Sequence, residues 1–340
     1  MGKVEFGVAL PTGMDGLMYP PPFTTPEVII TVAQRAESLG YDHVWGNEHL
    51  TTQKYVRAEF QTPPSFYDPL ISLAFCAANT KRIRLATCVT VIPFHDPVIL
   101  AKQAISLDRF SGGRLILGAG TGAYREEFEA VKPDLAATAK RAEIIDEGLE
   151  ALKLLFTERI ASYEGKYFKF KGVEMFPKPL QNPLPIYVGG NAEAVAKRAG
   201  KFGQGWMPAG MSLERLVQLR EVMKAAARDA GREGEHIVVA PQFLASIGRD
   251  DETARENFRK SQVYKHAVSL SSSTLRGQTI DTLLENNLIG SFATVRDKVK
   301  RYIEAGVHCF AGIIFTGQNL KDVLEQMDMF ASEVMSGVIL

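Results

Sequence analysis

The sequence predicts an α/β chain of the (β/α)8 TIM-barrel class with insertions, the largest after strand seven. Two observations carry this: eight segments read as a strand followed by a helix, and the unusual residues gather where strands end. Strand two closes on Asn47-Glu48-His49, and strand three runs Leu85 to Val91. Strand four ends in Gly118-Ala119-Gly120-Thr121-Gly122-Ala123-Tyr124, and strand five in Gly189-Gly190-Asn191. In a parallel barrel these ends surface on one rim, where such barrels do their chemistry. A length of 340 residues fits one large barrel, so a single domain over 1–340 is expected.

Strands are expected to start near Val4, His43, Arg84, Leu115, Ile186, Gly205, Ile237 and Cys309. Thr25-Pro26 opens the first helix as an N-cap followed by an N1 proline, Ile29, Val32, Ala33 and Ala36 give it an apolar face, and Gly40 ends it. Leu50 to about Asp68 reads as a long loop before a helix from Pro69. Pro97–Phe110 and Lys140–Phe156 carry further helical patterns, and Ala161–Phe170 reads as a hairpin turning at Glu164-Gly165. Pro177, Pro179, Pro183 and Pro185 mark an extended connector into strand five, and strand seven spans Ile237–Ile247. Residues about 261–290 break the alternation with Ser269, Ser271, Ser272, Ser273 and Gly277, and are expected to form a partly helical insertion over the rim.

Charges balance at 39 basic and 39 acidic residues, which argues against nucleic acid as the main partner. The three cysteines, Cys76, Cys88 and Cys309, are scattered with no CxxC, so neither a disulfide framework nor a metal site is expected. No apolar stretch reaches membrane-spanning length and no signal-like segment opens the chain, so a soluble cytoplasmic protein is expected.

Gly118–Ala123 formally matches a dinucleotide fingerprint, but it follows the fourth strand and lacks the acid about 20 residues on. Two readings remain, glycines easing a tight turn or a backbone wall for a flat ligand. Gly189-Gly190-Asn191 precedes a helix; with Asn191 as N-cap, the free amides there would receive a phosphate or other anion. His49 is the rim histidine suited to proton exchange, while His95 is read as shaping its loop. Cys88, flanked by β-branched residues and without a neighbouring base, reads as an inert thiol, and Trp206 as a pocket cap or a core residue.

Gly40-Tyr41-Asp42-His43-Val44-Trp45 with Glu48-His49, Arg82–Val89, Leu107–Leu115 with its Ser111-Gly112-Gly113-Arg114 turn, and Pro185–Gly190 together resemble the bacterial luciferase-like flavin oxidoreductases. The resemblance covers nearly the whole chain. It implies a barrel enzyme, usually dimeric, binding reduced FMN or the deazaflavin coenzyme at the rim. It puts a cis peptide at Cys88-Val89 against the flavin, the ring-edge segment at Thr121, Gly122 and Tyr124, and phosphate binding at Gly189, Gly190 and Asn191. His49, with Glu48, falls at the catalytic position. Thr121 replaces an arginine that luciferase uses for phosphate, so charge neutralisation must come from elsewhere. Many deazaflavin enzymes have Asp-His where this chain has Glu48-His49, which leans toward FMN.

The expected function is therefore a monooxygenase acting on a small organic substrate with O2 and reduced FMN from a separate flavin reductase. Its partners include neither nucleic acid nor membrane, and a homodimer is expected. A deazaflavin-dependent hydride-transfer enzyme and a non-catalytic flavin-binding protein are the alternatives.

Overall fold

A computed structural model describes residues 3–269 and 279–338 of the chain. Thr25 caps the helix Pro26–Ser38 through a bond from the Val28 amide, Asp68 caps Pro69–Asn79, and Asp96 caps Pro97–Phe110. Each of these helices starts on a proline, whose missing N–H is one the first turn could not have used. Gly40, at φ +84°, follows the first helix in a conformation that suits glycine.

The barrel strands are β1 (Glu5–Leu10), β2 (His43–Gly46), β3 (Arg84–Thr87), β4 (Thr90–Val91) and β5 (Leu115–Gly120). After the hairpin of β6 (Ile160–Glu164) and β7 (Lys169–Glu174) come β8 (Ile186–Gly189), β9 (Gly205–Met207), β10 (Val238–Val239), β11 (Gln242–Gly248), β12 (Leu288–Ser291) and β13 (Cys309–Phe315). Neighbours run β10-β9-β8-β5-β3-β2-β1-β13-β11-β12, with β4 also on β5, and every pair is parallel apart from the hairpin. All eight expected strands are therefore present in barrel order.

Two of them are interrupted, contrary to the continuous strands expected. Strand three breaks at Cys88-Val89, whose peptide is cis, and resumes as β4. Strand seven breaks at Pro241, which has no N–H to give a ladder. Around that break the Ala240 and Gln242 amides reach Trp206 and Pro208 on the β9 side, while the Pro241 carbonyl accepts from Ala311 in β13. The broken strand thus joins both neighbours and closes the barrel. The expected loop after strand two holds a short helix, Lys54–Glu59.

Trp45, Ala86, Ile116, Tyr187, Met207, Ala240 and Ala311 form a buried cluster, one residue from each of seven barrel staves, in the manner of a filled barrel. Trp206 is fully buried with its indole N–H on the Gly190 carbonyl, a core residue rather than a pocket cap. Among the described residues no helix is long and apolar enough to cross a membrane.

Candidate active site

At the C-terminal rim lies a cavity of about 230 Å³. It is lined by residues from the ends of β2, β3, β5, β8 and β9, by the start of β11, and by the insertion helix Gln262–Ser269. Among the described residues that line it, none carries a formal charge unless a histidine is protonated. Met14, Met18, Phe243, Leu244 and Ile314 supply apolar wall.

Of the residues singled out from sequence, His49, Cys88, Val89, Thr121, Gly122, Gly189 and Gly190 line this cavity. Val89 is seated where a Cβ on Gly120 or Gly189 would meet its methyls at 2.5 and 2.6 Å, so only glycine leaves room for that side chain. Burial pushes the Cys88 thiol up to about 12, which keeps it protonated and unreactive at neutral pH.

Three expected residues are placed elsewhere. Glu48 is buried away from the cavity: its carboxylate accepts the Val91 amide at 2.6 Å and pairs with His95 Nε2 at 2.8 Å. It holds β4, just beyond the cis peptide, instead of facing a substrate, and His95 shapes that loop with it. Asn191 is not the N-cap of the helix Glu193–Phe202; Ala192 is. Asn191 gives its side-chain amide to the Ala209 carbonyl and accepts the Ala209 N–H, both at 2.8 Å. The Gly190 N–H is also spent, on Met207. An anion at this turn would face the uncapped first turn of the helix. Tyr124 stands beside the cavity, its ring 6.0 Å from His49, and burial lifts its hydroxyl well above its ordinary value. Ser271, Ser272, Ser273 and Gly277 lie outside the described residues.

Sequence reasoning missed the partners of His49. Glu127, nearly fully buried, sets Oε2 3.1 Å from His49 Nδ1, and its carboxylate also takes the Leu50 amide at 2.5 Å. Gln53 brings an amide end to the same Nδ1 at 3.1 Å, and its other end, Oε1, is buried without a partner. The two ends of an amide are isosteric, and turning Oε1 toward His49 avoids two donors facing each other. Carboxylate and amide oxygen then both hold the Nδ1 proton, which leaves Nε2 as the nitrogen not committed to these partners. Nothing in local sequence links positions 78 apart. Asn47 grips the backbone of Gly13 from both amide ends, fixing the loop after β1. Arg141, also missed, donates to the Thr121 and Gly122 carbonyls at 3.0 and 2.8 Å, placing a half-buried cation behind the ring-edge segment.

At the opposite end of the barrel Glu5, His43 and Cys309 bring ligand-type atoms within 4.8 Å of one another. The Trp45 indole N–H points at His43 Nδ1 at 3.2 Å, so Nδ1 is the acceptor and Nε2 carries the proton toward Glu5. A metal on Nε2 would need that proton removed while Nδ1 still accepts, so the trio is read as a hydrogen-bonded support.

The luciferase-like monooxygenase family model matches residues 4–309, and the chain belongs to this family of oxidoreductases. An uncharacterized Mycobacterium bovis protein is 34% identical over 57% of this chain, which spans 65% of that relative's length. An F420-dependent glucose-6-phosphate dehydrogenase of Amycolatopsis mediterranei is 25% identical over 83% of this chain and 87% of its own. In fold, the chain is similar to the monooxygenase RslO1 from Streptomyces bottropensis, at TM-score 0.79 and 24% identity over 98% and 99% of the two chains. It is also similar to the oxygenating constituent of 3,6-diketocamphane monooxygenase of Pseudomonas putida in complex with FMN, at TM-score 0.75 and 20% identity over 100% and 99%.

Proposed function

We propose that the chain is a flavin-dependent monooxygenase that takes reduced FMN from a separate reductase and oxygenates a small organic substrate with O2. The whole chain acts as one luciferase-like domain, in the cytoplasm. When bound, reduced flavin supplies the electrons that activate oxygen. The observation that carries this reading is a His49 Nε2 without a partner among the described residues, beside a glycine-walled cavity whose described lining carries no fixed charge.

The residues present fit such a group. Val89 offers an apolar platform for a flat ring, supported at Gly120 and Gly189. The open first turn of the helix Glu193–Phe202 would receive the phosphate, since unpaired N–H groups and the helix dipole both favour an anion. Arg141 supplies positive charge that Thr121 lacks. His49, its Nδ1 proton held by Glu127, gives or takes a proton at Nε2. The apolar wall excludes water from the reacting centre. Ile71 and Phe75 on one helix, with Ile99 and Phe110 on the adjoining one, project exposed apolar side chains, and this supports a homodimer.

A second reading, deazaflavin-dependent hydride transfer, draws support from the F420-dependent relative that matches most of the chain. Anaerobic titration with reduced FMN and with the reduced deazaflavin coenzyme separates the two. Tighter binding of FMN, with oxygen uptake on admitting air, is expected; preference for the deazaflavin without oxygen uptake would replace the first reading by the second.

A further inference from the structure

A second pocket, of about 510 Å³, opens at the end of the barrel where strands begin. It is bordered by Val238 at the start of β10, by His308 just before β13, by the helix Leu213–Asp229 and by the loop that follows that helix. It shares no lining residue with the rim cavity.

Arg220, Lys224 and Arg228 recur every fourth residue along Leu213–Asp229, so they form one stripe on the helix face that borders the pocket. Like charges at this spacing repel one another and weaken a helix. A single carboxylate oxygen answers two of them: Glu221 Oε1 lies 3.4 Å from Arg220 Nε and 3.0 Å from Lys224 Nζ. Arg228 has no carboxylate partner among the described residues. Arg232 differs from the stripe. It pairs with Glu235 at 2.7 Å and donates to the Gly200 and Gly203 carbonyls, so it is a fixed part of the wall. Over the described lining, the four cations Arg220, Lys224, Arg228 and Arg232 meet two carboxylates, Glu233 and Glu235.

The same pocket has an apolar side. Met223 and Ala227, each one residue before a member of the stripe, are buried beneath it, and Ile237 and Val238 are half-buried in the facing wall. An inorganic anion would meet the cations but leave this apolar wall in water. A neutral apolar molecule would cover the wall but take water away from the charges without replacing it. A molecule with an anionic head and an apolar body satisfies both.

We propose that this pocket is a second ligand site, which binds an acyl or aryl chain ending in a carboxylate or phosphate. Arg220, anchored by donating Nη1 to the Ala305 carbonyl, fixes one end of the stripe. The exposed Lys224 and Arg228 hold the head, and Met223, Ala227, Ile237 and Val238 take the body. The proposal is independent of which coenzyme the rim cavity holds.

The test labels the methionine methyls of the full chain with 13C and titrates it with decanoate, decyl phosphate, decanol and decylammonium, each below its micelle concentration. Met223 borders this pocket, whereas Met14, Met18 and Met207 border the rim cavity, so the spectrum reports where a probe sits. Decanoate or decyl phosphate is expected to move the Met223 signal and to bind at least about tenfold tighter than decanol or decylammonium, because only the anions meet the stripe. The tighter of the two anions identifies the head group. Lys224→Gln and Arg228→Gln should each weaken anion binding about tenfold, the worth of one charged hydrogen bond. The charge-keeping pair Lys224→Arg and Arg228→Lys should bind as the unaltered chain does. Both positions are exposed, so the substitutions leave the fold intact. A Met223 signal unmoved by either anion, equal affinity for decanol, or undiminished affinity in the glutamine variants would overturn the proposal.

Discussion

Of the three His–Glu pairs among the described residues, His43–Glu5 and His49–Glu127 occupy opposite ends of this barrel, and they differ in one nitrogen. Below, His43 accepts from the Trp45 indole at Nδ1 and faces Glu5 through Nε2, so both ring nitrogens are committed. Above, among the described residues, His49 has its hydrogen-bond partners on Nδ1 alone, and the ring borders a cavity. The lower site is also filled: a Cβ on Gly7 would sit 2.3 Å from the indole nitrogen and 2.5 Å from His43 Nδ1. A carboxylate beside a histidine is therefore no mark of chemistry by itself. A nitrogen left over, with space in front of it, is.

Replacing each histidine breaks the comparison at its strongest point. His49→Ala should lower turnover by roughly 10²–10⁴, the range for loss of one general acid or base, while the protein folds and binds cofactor. Oxygen consumption would continue but divert to hydrogen peroxide; in a deazaflavin enzyme hydride transfer itself would slow. His43→Ala should leave turnover per folded molecule unchanged. It should lower unfolding stability by about 1–3 kcal/mol through the orphaned indole N–H, read by denaturant titration. Equal losses of turnover in the two variants would erase the distinction.

The next effect concerns binding. Gly190 has φ +136°, and a Cβ there would meet Val195 at 3.2 Å. Gly190→Val should weaken cofactor binding by about tenfold or more, since a β-branched residue cannot hold this backbone without strain. Cofactor fluorescence titration reads it directly, and unchanged affinity would move the phosphate elsewhere. Smallest is Glu127→Gln, which keeps the shape but removes the anionic acceptor of the Nδ1 proton. Turnover should fall less than in His49→Ala, with a shifted pH–rate profile. A fall as large, with the profile unmoved, would make Glu127 a folding residue only.

What was legible in sequence was local. Thr25 announces its helix because cap and amide lie within a few residues of each other, and Pro69 and Pro97 mark the starts of theirs. Strand ends declared themselves through glycine and histidine, so the rim and the β2, β3, β5 and β8 part of the cavity lining could be named in advance. The rest depends on contacts that the chain order hides. Glu48 looked catalytic next to His49, but successive strand-end residues need not share a direction, and its carboxylate went to Val91 and His95. Asn191 is well suited to capping, yet Ala209, brought alongside by the β8–β9 pairing, holds both ends of its amide. Glu127 meets His49 from 78 residues away and His266 reaches the cavity from the insertion, contacts that only the closed barrel makes.

The central claim is a statement about where protons sit, and nitrogen NMR of the histidine side chains measures that without substrate or cofactor. In neutral imidazole, the ring nitrogen that bears the proton is distinguished from the one that does not. The account predicts that neutral His49 carries its proton on Nδ1 and neutral His43 on Nε2. A proton on Nε2 of neutral His49, leaving Nδ1 bare against Glu127, would contradict it.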